Sequence, residues 1–313
     1  MADALTTTTQ IPPAVAIFYD RVLLENARAK LHHEKFAQIR NIPRNSGNTI
    51  KFRRFGTLST ATTPLPEGFT PAGQRLSKTD LLAQISWYGD YVHVTDVVDL
   101  TVENPVMTSA YEELGDQKGR TRDELVRDIL VACASSTNAS GGTNGNTPTE
   151  LTKADIDDVV KTLVGGNADM LAPQLNASTG VGTAPIRARF WGIMHTDLMD
   201  DLEDVSNFKH ISEYAQNNAL DGEWGSTGNV GWLLSTVAHK SSDTPAQYYL
   251  PIIGKNAYAV TDLEGASETI TKPFGSAGTA DPLNREATAG WKMAFVARIL
   301  NDAFMHVLKV THS

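Results

Sequence analysis

Residues 58–80, LSTATTPLPEGFTPAGQRLSKTD, restrict the fold more than any other stretch of this 313-residue chain. Pro64, Pro66, Gly68, Pro71 and Gly73 fall within ten residues, so neither a helix nor a central strand can run through them. The run before them alternates: Ile50, Phe52 and Arg54 point one way, Lys51, Arg53 and Phe55 the other. The run after them, LLAQISWYGDYVHVTDVVDLT, alternates again, with Tyr91, His93 and Thr95 opposite Val92, Val94 and Asp96 and a bulge expected at Gly89. Two strands around a proline-rich tip predict a long β-hairpin over residues 49–96. Its half-length would be roughly 70 Å at about 3.3 Å per residue if fully extended. A lone two-stranded hairpin is marginal in water, so this one needs a surface to lie on.

Helical periodicity brackets the hairpin. Phe18, Val22, Ala27 and Leu31 predict a helix from Ala14 to about Arg40, stopped by Pro43 and the turn NSGN. Asn104 and Pro105 read as N-cap and first helical residue. The helix they open carries Met107, Ala110, Leu114, Thr121, Leu125, Ile129 and Cys133 on one face and is expected to reach about Ala134. At that length it spans about 45 Å, against a radius of gyration of about 20 Å for a globule of this size. A long hairpin followed by a long helix predicts an elongated, flattened subunit.

The stretch SSTNASGGTNGNTPTE, 135–150, has the composition of a linker. Beyond it, Thr152 and Asp155 form a capping pattern for a helix with Ile156, Val159, Val160 and Leu163. IRARFWGIMH, GNVGWLLSTVAH and YYLPIIGKNAYAV read as strands, and Thr196 is expected to cap the acidic helix DLMDDLEDV. Residues 150–285 are therefore a mixed α/β region. The terminal GWKMAFVARILNDAFMHVLKVTHS reads as strands returning to a core.

Composition narrows the function. Net charge is −9, and the longest basic cluster, KFRR, is too short for a nucleic-acid grip. No apolar run approaches the roughly 18 residues needed to span a bilayer. The N-terminal MADALTTTTQIPP lacks the basic start and apolar core of a signal peptide, and the single Cys133 excludes an intrachain disulfide. A protein made and folded in the cytosol is expected. Catalytic patterns fail in turn. GGTNGN has no lysine after it; Ser226 in WGSTG lacks the first glycine of a nucleophile elbow and reads as a turn serine. His33-Glu34 begins like a zinc-protease motif, but Ala37 stands where the second histidine belongs. Asp197, Asp200, Asp201 and Asp204 share a helical face near His195 and are best read as a solvated surface. No cofactor and no metal are expected.

Several linked strings carry a resemblance. IPRNSGNTIKFRRF, ATTPLPEGFTPAGQRLS, WYGDYVHVTDVVDLT, NPVMTSAYEELGDQ, WGIMHTDLMDDL, DGEWGSTGNVGWLLST and DPLNREATAGWKMAFVARILND are together similar to major capsid proteins of tailed bacteriophages, the podovirus-type coat protein family. The resemblance implies an α+β fold of the Hong Kong 97 type, shared with bacterial encapsulin shells. On that map residues 1–43 are an N-terminal arm and 44–97 an extended loop, the long β-hairpin. Residues 98–149 and 286–313 are a peripheral domain with a long spine helix, and 150–285 an axial domain. The implied function is structural: copies of the chain assemble as hexamers and pentamers into an icosahedral shell around double-stranded DNA, without sequence-specific binding and without a membrane. Portal, scaffolding and decoration proteins are the implied partners, the virion the implied location, and the host cytoplasm the site of assembly. Inter-subunit contacts are expected at Lys51, Arg53, Arg54, Glu67 and Lys78 of the hairpin and at Glu112, Glu113 and Asp116 of the spine helix, with Lys51, Arg53 and Arg54 pairing with acidic groups of an adjacent subunit near those last three. Covalent cross-linking, known in the founding member of the fold, is not expected: Lys78 is a candidate lysine, but no residue identifies the asparagine or the carboxylate. Two other readings are an encapsulin-like compartment holding cargo and a soluble metal-dependent hydrolase built on the acidic helix and His195.

Overall fold

A computed structural model describes residues 32–65, 67–68, 70–96, 106–139, 147–172, 187–214, 219–276, 278 and 281–312, with residues 106–109 described as backbone only. Among these residues the strands form three sheets, two of them large and joined through one helix.

The first large sheet has seven strands, in the order β5 (Ser136–Asn138), β14 (Met305–Thr311), β10 (Gln247–Ile253), β6 (Phe190–His195), β9 (Val230–Ser235), β8 (Glu223–Thr227) and β7 (Phe208–His210). Its central strands are covered on both faces, which is why FWGIMH is apolar throughout instead of alternating. On one face Phe190, Met194, Trp232, Leu250 and Leu308 meet Ile156, Val159 and Leu163 of a helix over Lys153–Gly165 (α2). Thr152 caps that helix as expected, its hydroxyl accepting from the Asp155 amide at 3.4 Å. Gly192 admits the Trp232 ring, whose nearest carbon would lie 2.4 Å from any added Cβ.

The other face carries Trp191, Ile193, Leu233, Ile253 and Val307. These pack with Val126 and Leu130 of the long helix α1 (Val106–Val131) and with Tyr258, Val260 and Phe295 of the second large sheet. That sheet orders β1 (Gln38–Ile42), β11 (Tyr258–Leu263), β13 (Glu286–Ile299) and β12 (Glu268–Lys272), with β4 (Ser86–Thr95) on the other edge of β13. The earlier half of α1 lays Tyr111 and Leu114 on it, against Val94, Ala289, Trp291 and Met293. Burial of these large side chains, at roughly 1.5–3 kcal/mol each, is what fixes α1 between the sheets. The third sheet is a hairpin of β2 (Thr49–Phe55) and β3 (Lys78–Gln84).

Several expectations change. Gln38–Ile42 is not the end of a helix from Ala14 but a strand parallel to β11, since a sheet edge offers its backbone partners and buries Ile42; residues 14–31 lie outside the described residues, as do Asn104 and Pro105. The hairpin returns along Lys78–Gln84, while Ser86–Thr95 pairs with β13 in the second large sheet. Gly89 is not a bulge: register runs unbroken from Thr95↔Glu286 to Ser86↔Phe295. It is a close approach instead, where a Cβ would sit 2.6 Å from the Trp291 carbonyl oxygen. The long helix ends at Val131, so the buried Cys133 lies just past it. In the supposed linker, Ser136–Asn138 is a strand parallel to β14; residues 140–146 lie outside the described residues. Ser226 is within β8, not in a turn. His195, not Thr196, caps the acidic segment, its Nδ1 accepting from the Asp197 amide at 3.1 Å. The terminal segment does return as strands, but β13 and β14 enter different sheets, and β11 and β12 join β13.

Candidate assembly surface

The hairpin presents two unlike faces. Ile50 and Phe52 stand with Leu81 and Ala83 on the side turned to the body, where Ile50 reaches a small core of Ile42, Ile85, Ala266 and Ala294. On the opposite side Lys51, Arg53 and Lys78 surround Asp80, with Nζ or Nε to carboxylate distances of 3.7, 3.0 and 3.7 Å. The Arg53 hydrogen bond, followed by the charges of Lys78, Arg53 and Lys51, holds the Asp80 carboxyl below its ordinary range despite some desolvation. Three cations thus share one carboxylate, and the face stays positive. Arg54 lies on the body side and lines an open groove of about 970 Å³ together with Arg40, Leu300, Asn301 and Phe304. Among the described residues it has no carboxylate within ion-pair reach.

Beyond β2 and β3 the arms stay paired: the Gly56 amide donates to the Ser77 carbonyl at 2.9 Å, and the Gln74 side chain bridges both backbone groups of Ser59 at 2.8 and 2.9 Å. Phe55, Leu58, Leu65, Leu76 and Leu82 project from this arm, all more than half exposed. Glu67 is exposed at its tip. Trp87 and Tyr91 of β4 add two aromatic rings, each 60% exposed. Apolar side chains concentrated on a thin arm with no core of its own mark an interaction surface. Glu112 and Glu113 are exposed on α1, and Asp116 is half-buried.

A buried charge cluster holds the chain just before β1. The His33 amide and its Nδ1 both contact the Asp123 carboxylate at 2.7 Å, with His33 and Asp123 fully buried. The Tyr258 hydroxyl donates to the His33 carbonyl. Arg122 donates to Glu34 at 2.6 and 2.5 Å and to Asp262 at 3.0 and 2.7 Å, its guanidinium 4.5 Å from the Phe295 ring centroid. Burial opposes the Arg122 charge, but the two carboxylates outweigh it and raise its pKa. The His33-Glu34 pair is therefore an anchor, tying the start of β1 to α1 and β11.

The acidic segment separates rather than converges. Asp197 accepts from Lys240 at 2.8 Å and Tyr248 at 2.9 Å, the Lys240 bond being the main cause of its lowered pKa. Asp201 is buried against His312 at 2.8 Å, and Asp200 and Asp204 are exposed. Among the described residues no group of His, Cys, Asp and Glu could hold a metal ion. Burial pushes the Cys133 thiol up to about 11. No described helix is long and apolar enough to cross a membrane.

A family profile described as "Phage capsid protein" matches residues 78–310. The chain belongs to the phage capsid protein family. Solved capsids share the fold of this capsid protein. The capsid of Ralstonia phage GP4 matches with TM-score 0.65 at 12% identity, covering all of this chain and 93% of that one. The cyanophage Pam1 capsid gives 0.64 at 11% identity, covering all of this chain and 96% of that one. A virus-like particle from Pyrococcus furiosus gives 0.53 at 13% identity, over 93% and 98% of the two chains. No curated protein matches the sequence. The capsid protein is thus mixed α+β and strand-rich, as its sequence implies.

Proposed function

We infer that this is the major capsid protein of a tailed phage, many copies of which form the icosahedral shell enclosing its double-stranded DNA. The family match over residues 78–310 carries the reading. The hairpin supports it physically, because its exposed apolar side chains and surplus positive charge need a second subunit to cover them. Hexamers and pentamers are the assembly units, and symmetry multiplies each small contact. On this reading the hairpin is the extended loop, α1 the spine helix and residues 150–285 the axial domain. Portal, scaffolding and decoration proteins complete the particle, which assembles in the host cytoplasm. The role is structural rather than catalytic. The compartment reading keeps only the fold likeness to the virus-like particle.

Arg54 is the sharpest test of the contact, since it has no carboxylate partner in its own chain among the described residues. On this reading it meets an acidic group such as Glu112 or Glu113 of the adjacent subunit, fixing register more than affinity. Arg54→Glu should yield a folded monomer, by circular dichroism, that forms few or no shells in electron micrographs. Normal shells from that variant would remove Arg54 from the interface.

A further inference from the structure

We propose that the capsid protein carries a phosphate-binding pocket at the β7 edge of its seven-stranded sheet. An open pocket of about 490 Å³ lies there, lined by Lys153, Arg187 and Lys209 with Asn207, Asn229 and the turn at Gly228. The three cations come from three separate places: the first residue of α2, the chain entering β6, and the middle of β7. Among the described residues no carboxylate lines it, although the chain as a whole carries 36 acidic against 27 basic residues. Lys153 is partly neutralised by Asp157. Arg187 and Lys209 have no carboxylate within ion-pair reach among the described residues. The three charges line one pocket, so a ligand seated there meets all of them.

The walls are set by backbone that the sheet holds firmly. Lys209 is paired with Ser226 across β7 and β8. The Asn229 carbonyl accepts from the Phe190 amide at 2.9 Å, which fixes the β8–β9 turn beside Arg187. Gly228 at φ 60° and Asn207 at φ 66° take left-handed turns that suit those residue types. The Arg187 Nη2 donates to the Asn229 Oδ1 at 3.4 Å, leaving the Asn229 amide hydrogens to face a ligand. A carboxylate offers two oxygens in a plane, whereas a phosphate presents three or four in a tetrahedron. Cations and amide donors arriving from several directions match the second. The ligand chemistry is a phosphate group, supplied by a free polyphosphate or by a nucleic-acid backbone.

The test uses the full unassembled chain, titrated calorimetrically with tripolyphosphate at constant ionic strength and, separately, with a short DNA duplex. Saturable tripolyphosphate binding is expected, weakened at least about tenfold by Arg187→Gln or Lys209→Gln and unchanged by Lys161→Glu, an exposed lysine of α2 outside the pocket. A duplex displaced by tripolyphosphate assigns the pocket to a nucleic-acid backbone. A duplex that does not compete assigns it to the free anion. Absence of saturable tripolyphosphate binding, or binding equal in both glutamine variants and the parent, overturns the site. Neither result depends on whether the chain forms shells.

Discussion

At the scale of single residues, burial converts ordinary surface chemistry into anchors. Arg122 and Glu34 keep only 17% and 9% of their side-chain surface exposed, so removing one charge strands the other in a poorly solvated place. Arg122→Ala should therefore cost about 3–5 kcal/mol, read as a lower midpoint in urea unfolding; a loss below about 1 kcal/mol would show that water reaches Glu34 and Asp262 freely. The anchor was not legible in the sequence. His33-Glu34 looks like the start of a metal motif, and its true partners, Asp123 and Arg122, lie 90 and 88 residues away. Only the fold brings them together. Thr152 is the opposite case: its partner is three residues on, and the sequence shows the cap directly.

At the scale of elements, alternation identified the strands around the proline-rich tip but not what each one pairs with. From Lys78 to Thr95 the chain is extended almost without interruption, yet it changes partner at Ile85. Gln84 is the last residue paired with the hairpin's other arm and Ser86 the first paired with β13. Between them the Ile85 amide donates to the Asn48 carbonyl at 2.8 Å, with the side chain buried. The period of two continues through this exchange, so nothing local announces it. The consequence is a shorter arm, at most roughly 55 Å from Thr49 to Leu65 at about 3.3 Å per residue. β4 then depends on its fit to β13, and at Gly89 the β13 backbone leaves no room for a side chain. Gly89→Val would drive a Cβ to 2.6 Å from the Trp291 carbonyl and push the strands apart. A thermal midpoint lowered by several degrees is expected; an unchanged midpoint would mean β4 can shift without cost.

At the scale of the whole molecule, the residues that build the core and those proposed to meet a neighbour lie in different parts of the chain. The two large sheets and α1 share continuous buried clusters, whereas no described residue of the hairpin beyond Gly56 and Ser77 joins them. The family resemblance was legible because the turn and strand strings that carry it are each continuous in the sequence. The sequence did not reveal how β11, β13 and β14 divide between the sheets, since all three are mostly buried and read alike. If the arm serves the neighbour and not the fold, the two roles separate cleanly by surgery. Gly56 and Ser77 are already joined by a 2.9 Å hydrogen bond, so a short Gly-Ser turn can close the hairpin there in place of residues 57–76. The shortened chain should keep the unfolding free energy of the parent within about 1 kcal/mol, because surface changes away from packed features rarely exceed that. In sedimentation it should run as a monomer or small oligomer, with no shells by electron microscopy. Shells of normal size would place the assembly contacts elsewhere on the subunit, and a collapsed midpoint would mean that the arm contributes to its own chain's fold.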